Sequence, residues 1–341
     1  MTSMAIDLMP IPPQVFCATD ASLPRWRVRA ASRNRTSRAW MLQEIRICVK
    51  GRQRSRTRTC SGDRLDRLIT QGSRSLARKG LLVATISDDG KVKAPRSVTL
   101  QMLFSSRHGK STCVARKVEL STYKTIWLEF PLAGRWTAAN ARTDHHCLGL
   151  QFGFDFVTPD DMEIHLQSEP GRVELDDFSS LGQPLYSPAD GVVASCSNGQ
   201  RDYRRTFKQT IGYKPVSLRK LVGNHVLIET PDRQYVLLAH MLARSLQVGV
   251  GDVVSVGTYL GRVGNSGNTT GPHLHIEVLA ARPDFSLSRS RRAGDATDSG
   301  LPFGFKNVTR IRNGSAVAMS RCVPKKLDQL ESDRALTKDS L

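Results

Sequence analysis

Apolar positions are spread unevenly along the chain, and their spacing predicts where ordered elements lie. Residues 1 to about 85 show neither clean alternation nor a helical period, apart from a possible short helix in "DRLDRLITQGSRSLARKG". From Leu81 the character changes. The runs "LLVATIS", "SVTLQMLF", "TCVARKVEL" and "KTIWLEFPL" are short, β-branched and apolar, and are separated by Gly, Asp, Ser and Lys; they predict the strands of a small β region. After "FPLAGRW" comes a polar stretch, then "HHCLGLQFGFDFV", whose tail from Gln151 to Val157 alternates as a strand ending in the Thr158-Pro159-Asp160 turn. The mixed polar segment that follows, with its "EPG", reads as an excursion loop.

From Gly182 the strand signals become dense: "QPLYSPADGVVASCS", "GNHVLIETPDRQYVLLAHM", "LQVGVGDVVSVGTYLGRVG" and "GPHLHIEVLA". "TPDRQ" joins two of them as a longer hairpin connection. Many short strands with almost no helical period predict an all-β, largely antiparallel domain. The chain past "GLPFGF" is polar and charged and reads as a tail. The expected organisation is a basic, poorly ordered segment over 1–85, a small β region over 86–136, a main domain over 137–310 and a polar tail over 311–341.

Composition narrows the class. At 341 residues the chain can bury one large core or two smaller ones. No stretch approaches the roughly 18–20 consecutive apolar residues of a membrane-spanning helix. The net charge of +19 suits an anionic partner such as nucleic acid, acidic lipid or an anionic cell-wall polymer, and does not choose among them. Much of it comes from "RWRVRAASRNRTSRAW" and "GRQRSRTRTCSGDRLDRL". Neither interleaves aromatics as a base-stacking surface would. A nucleic-acid-binding module in this part of the chain would bind DNA in a salt-sensitive way; a solvated or poorly ordered segment is the favoured reading. Seven scattered cysteines without a CxxC pair argue against a disulfide framework or a zinc ribbon. The N-terminus has no basic region followed by an apolar one, so no ordinary signal peptide is expected.

The candidate chemistry lies in "GNSGNTTGPHLHIEV". On a strand, His273 and His275 share a face, while Leu274 points to the other. A bare HxH is more often a surface feature than a site. Two companions change that balance. His240 closes "YVLLAHM", and Asp155 stands among the aromatics of "FGFDFV", where a carboxylate is costly to bury without a partner. With His145 and His146 upstream, there are enough groups for a zinc site with an open position and spare imidazoles for proton transfer. Gly264, Gly267 and Gly271 would allow tight turns and positive φ in the loop before the HxH strand. A phosphate-cradling loop would need a following helix or Lys, and neither is present.

The run from "GQPLYSPADGVV" to "GPHLHIEV" resembles the catalytic core of the lysostaphin-like zinc metallopeptidases, the duplicated-hybrid-motif fold. The resemblance rests on "PxxGxV", "GNxV", "YxxxH", the spaced Val/Gly run ending in "GNSG", and "HLHxE", in order, over roughly Gly182–Leu279. It makes 137–310 a metallopeptidase domain with its core at 182–279. The resemblance implies a Zn²⁺ ion held by His275, Asp155 and a further histidine. It also places His240 and His273 beside a metal-activated water, to polarise it and stabilise the developing oxyanion. The usual first motif is HxxxD, but Gln151 stands four residues before Asp155. An amide is a poor zinc ligand, so His146 is expected to complete the site, with His145 next to it in the chain as the alternative. Glu277 is a candidate partner to fix an imidazole tautomer. His225 reads as groove wall, His108 and His165 as surface residues, and Cys147 as no nucleophile.

The function this implies is zinc-dependent endopeptidase action on peptide bonds of peptidoglycan cross-links, at the cell envelope or outside the cell. No nucleic acid is expected at the catalytic domain. The alternative is a catalytically degenerate relative that binds peptidoglycan or activates a hydrolase. Oligomeric state is not legible.

Overall fold

The structure is a computed structural model and describes residues 6–10, 27–51, 53–78, 80–87, 95–119, 125–141, 152–167, 173–204, 217–286 and 300–333. The described residues up to Glu119 form one compact unit and those from Thr125 a second.

In the first unit, Trp40–Gly51 pairs antiparallel with Ser55–Ser61 and with Pro95–Ser106, which in turn pairs with Ser111–Glu119. A second sheet orders Ile6–Pro10, Arg27–Asn34, Leu81–Ser87 and Ile69–Gln71. Leu42, Ile45, Ile47 and Val49 from the first sheet meet Leu82, Ala84 and Ile86 from the second in a shared core. Asn34 is buried at the end of its strand, where its Nδ2 donates to the carbonyls of Leu76 (3.1 Å) and Ala77 (3.0 Å) and its Oδ1 accepts from Thr36 N–H (2.9 Å).

This corrects the expectation of a poorly ordered segment for the described part of 1–85. The strand Trp40–Gly51 has a bulge at Gln43, between the pairs Leu42–Phe104 and Glu44–Leu103. The inward set therefore runs Trp40, Leu42, then Ile45, Ile47, Val49, and the change of phase hides the alternation. The helix expected in this region shrinks to Asp63–Asp66, because Ile69–Gln71 and Ser75–Leu76 are drawn into the sheets.

The second unit is built on a long sheet in the order Ile126–Glu129, Phe303–Arg312, Gln329–Ser332, Gly134–Ala141, Phe154–Val157, Leu274–Leu279, Tyr235–Met241, Asn224–Glu229, Gly191–Ser197 and Val253–Val254. Among these neighbours only Ile126–Glu129 and Phe303–Arg312 run parallel. Pro184–Tyr186 and Tyr259–Arg262 form a separate pair. The expected all-β, largely antiparallel architecture is therefore observed. Phe154 and Phe156, alternating with Asp155, place their rings with Phe130, Phe303 and Phe305 at centroid separations of 5.0–5.9 Å. Such edge-to-face packing anchors one side of the Asp155 strand and leaves its other side for chemistry.

Three stretches differ from expectation. The polar stretch after "FPLAGRW" is the strand Gly134–Ala141. Its few apolar side chains and a bulge at Ala139, between the pairs Ala138–Phe156 and Asn140–Asp155, mask its period. The start of the supposed excursion loop is the helix Pro159–Gln167. Pro159 suits a first helical position, and Thr158 Oγ1 accepts from Asp161 N–H at 3.4 Å. The supposed tail from 311 is largely strand as far as Ser332. Asn313 and Gly314, with φ of 49° and 78°, make the positive-φ turn that Asn-Gly favours between Phe303–Arg312 and Ser315–Cys322. Asp328 then pairs with Arg312. Among the described residues, no helix is long and apolar enough to cross a membrane.

Candidate active site

Register brings the candidate residues together. Ala239 pairs with His275, His275 with Asp155, and Asp155 with Asn140, so one row across four strands carries an imidazole, a carboxylate and an amide on one face. The apolar partners of this face, Leu218, Val222, Leu227, Leu237, Ala239, Leu279 and Phe285, form a cluster of their own. Site and core thus share one sheet surface.

His275 Nδ1 stands 2.8 Å from Asp155 Oδ1, and His275 Nε2 lies 3.8 Å from Glu277 Oε2. All three side chains are buried. Burial alone would lower the basicity of His275. Hydrogen bonding and charge from Asp155 and Glu277 outweigh it and raise its pKa from 6.5 to about 10. His273 lies just before the strand, with Nε2 3.7 Å from Asp155 Oδ1.

His240 arrives differently. Ala239 pairs with His225 and Met241 with Asn224, so His240 is the extra residue of a bulge, and its φ is +63°. A non-glycine residue in the left-handed region is uncommon and costs roughly 1–2 kcal/mol. Here the twist sets the His240 ring 4.6 Å from that of His273 and 5.8 Å from that of His275. Burial, followed by the neighbouring imidazoles, holds its pKa well below 6.5 against the hydrogen bond to Ser266 and the charge of Asp155. His240 is therefore neutral.

One device orients both accessory histidines. His240 Nδ1–H donates to the Ser266 carbonyl at 2.8 Å, and His273 Nδ1–H donates to the Gly271 carbonyl at 2.8 Å. A carbonyl only accepts, so each Nδ1 carries a proton; in His240, whose pKa is lowered, Nε2 is then left with its lone pair. The loop that supplies these carbonyls is tied down by "GN" and "GNSG". Asn224 N–H donates to Ser266 Oγ (2.9 Å), Ser266 Oγ–H donates to the Met241 carbonyl (2.8 Å), and Asn224 Nδ2 donates to the Gln200 carbonyl (2.7 Å). Gly267 has φ +86°, and a Cβ there would stand 2.6 Å from Gly223 N and from Leu221 O, so the close approach demands glycine. Gly264 is required for space alone, since a Cβ would meet Leu242 N at 2.3 Å. Gly271 does not have the positive φ expected of it; its contribution is the carbonyl that His273 uses.

The structure thus brings together Asp155, His240, His273, His275 and Glu277. His146, His145 and Gln151 lie outside the described residues, so the expected third ligand is not placed. His225 is buried on the same sheet face, stacked on Phe285 at 4.3 Å, with Nδ1 2.9 Å from the Gly223 carbonyl. Asn140 was missed from the sequence. Its Nδ2 donates to Asp155 Oδ2 at 3.0 Å. The only signal for it would have been the bulge that aligns it with Asp155.

Among the described residues no three His, Cys, Asp or Glu side chains stand in metal-holding positions. The donor set still suits a cation in kind. Two buried carboxylates flank one imidazole, and such charges are tolerated only beside a positive charge, whether an imidazolium or a metal ion.

The site is a buried histidine–carboxylate cluster on an all-β scaffold, gathered around the start of the strand that carries His275. Residues 175–285 match the model of Peptidase family M23. Over 99 residues the chain is 29% identical to the peptidoglycan DD-endopeptidase ShyA of Vibrio cholerae; the match covers 29% of this chain and 18% of that protein, so less than a fifth of the relative's length is spanned. Similar solved structures include the catalytic domain of the antimicrobial peptidase lysostaphin from Staphylococcus simulans, at 16% identity over 46% of this chain and 88% of that one, with a TM-score of 0.26. A zinc containing peptidase from Vibrio cholerae is similar at 14% identity over 82% of this chain and 85% of that one, with a TM-score of 0.23.

Proposed function

We propose that the chain is a zinc metalloendopeptidase acting on the peptide cross-links of peptidoglycan. The observation that carries this reading is the convergence of Asp155, His240, His273 and His275 on one buried cluster within a chain that matches a peptidase family over 175–285. The ShyA match supports the substrate class, and a net charge of +19 supports attraction to an anionic cell-wall polymer.

In this reading Asp155, His275 and His146 hold the zinc, which when bound supplies Lewis-acid polarisation of a carbonyl and acidifies water. The chain's own residues do the rest. His240, neutral and with its Nδ1 proton committed to Ser266, presents Nε2 as a proton acceptor; as an imidazolium it would then be the donor to a leaving amine. His273, held by Gly271, is the group that would orient a water or, with a proton on Nε2, donate to a developing oxyanion. With one ring nitrogen of His275 given to the metal beside Asp155, Glu277, 3.8 Å from Nε2, would orient the ring through the other.

The test is metal content and hydrolysis of purified peptidoglycan by the full chain. Wild type should carry one zinc and release peptide termini. His275→Ala should lose both zinc and activity. His240→Ala should keep zinc and lose about 10²–10⁴-fold in kcat. Zinc without hydrolysis would leave a binding module instead of an enzyme, and a zinc-free active protein would overturn the metal reading.

A further inference from the structure

Asn140 stands outside every motif that marks the site, yet its amide is one of the groups that hold Asp155. Plain alternation along Gly134–Ala141 would set Ala139 opposite Asp155. The bulge at Ala139 removes that residue from the ladder and puts Asn140 there instead. Nδ2–H then donates to Asp155 Oδ2 at 3.0 Å, while Oδ1, the other oxygen of the same carboxylate, stands 2.8 Å from His275 Nδ1 and 3.7 Å from His273 Nε2. The two oxygens are thereby given different work. One faces an amide donor on the neighbouring strand, and the other faces the imidazoles.

We infer that Asn140 is a positioning residue for the metal site, which locks the rotation of the Asp155 carboxylate so that Oδ1 alone is turned toward the cation. The inference rests on the zinc reading above. Its physical basis is that a carboxylate swivels easily about its terminal torsion, and a buried one held at a single oxygen could swing toward two-oxygen contact. An N–H···O bond to a charged acceptor is strong enough to select one orientation, and partners of this kind tune the ligands they touch. A merely structural Asn140 would compensate the buried charge without affecting how the metal is held.

The experiment uses the full chain and reads zinc affinity by chelator competition, together with the d–d absorption of the cobalt-substituted protein. Asn140→Leu keeps the volume and removes the donor, and Asn140→Ala serves should the leucine variant fail to fold. Expected are a 10–100-fold loss of zinc affinity and a shift of the cobalt bands in a protein whose circular dichroism is that of wild type. Unchanged affinity and cobalt spectrum in either folded variant overturn the positioning role. Failure of wild type itself to bind zinc overturns the zinc reading and this inference with it, and is told apart because it appears before any substitution.

Discussion

The strand Trp40–Gly51 in the first unit and the strand Tyr235–Met241 in the second are both long, both central to their sheets and both interrupted by a bulge. In the first, the bulge at Gln43 shifts phase from Trp40 and Leu42 to Ile45, Ile47 and Val49, and all five side chains still enter one apolar core. Gln43 itself turns outward, where its Nε2 donates to Ser105 Oγ at 2.7 Å. In the second, the bulged residue is His240, in a left-handed conformation and among other buried imidazoles. The bulge at Ala139 likewise delivers an amide to a buried carboxylate. The same irregularity bends a structural strand in one unit and aims polar groups into a dry face in the other. Apolar burial stabilises a sheet without further conditions. Polar burial requires every group to be placed against a partner, and bulges do that placing.

Three measurements would break or sharpen this contrast. Phe154→Ala removes a fully buried ring from the Phe130, Phe303 and Phe305 cluster behind Asp155 and should destabilise the second unit by about 3–5 kcal/mol, read as a shift in the denaturant midpoint. A loss well under 1 kcal/mol would mean that the aromatic face does not anchor the site strand.

The next concerns His225, whose pKa falls from 6.5 to about 4, chiefly through burial, against its hydrogen bond to Gly223 and with the charge of Arg219 adding. Its folded-state pKa is depressed, so the unfolded chain binds the extra proton first. The stability it contributes is complete above pH 6.5 and is lost as pH falls from 6.5 toward 4, in total about 3 kcal/mol. His225→Phe, which can keep the stack on Phe285, should flatten that acid loss. An identical slope in wild type and variant between pH 7 and pH 4.5 would show that His225 is not held neutral.

The smallest effect tests the strain at His240. His240→Gly should be more stable than His240→Ala by about 1–2 kcal/mol, because only glycine adopts φ +63° without penalty. The same pair of substitutions at Gln43, which has no positive φ, should run the other way, since glycine in a strand only adds flexibility. Equal stabilities of the two His240 variants would remove the distinction between the bulges.

Legibility followed the same divide. Leu274–Leu279 has an unbroken pattern, and Tyr235–Met241 is disturbed only at its next-to-last residue, so both strands, and with them the HxH pair and His240, are legible directly. Trp40–Gly51 and Gly134–Ala141 are not, because a single extra residue reverses the facing of everything after it. The hairpin through Asn313 and Gly314 has a turn signal but no apolar alternation to accompany it, since its second strand, Ser315–Cys322, is mostly exposed. Asn140 had no motif to mark it.

By itself the sequence determined the all-β character, the order of the strands that carry the histidines, and the chemistry available: His273 and His275 two apart on one face, His240 closing another strand, Asp155 alternating with phenylalanines. Tertiary structure alone decided which of these meet. The 2.8 Å contact between Asp155 and His275 joins positions 120 residues apart. The turn of His240 into the cluster comes from one left-handed residue, and the recruitment of Asn140 from one bulge. Periodicity is a local property of the chain, whereas cross-strand register is set jointly by two strands and by the irregularities in either, so the site could be listed from the sequence but assembled only in the fold.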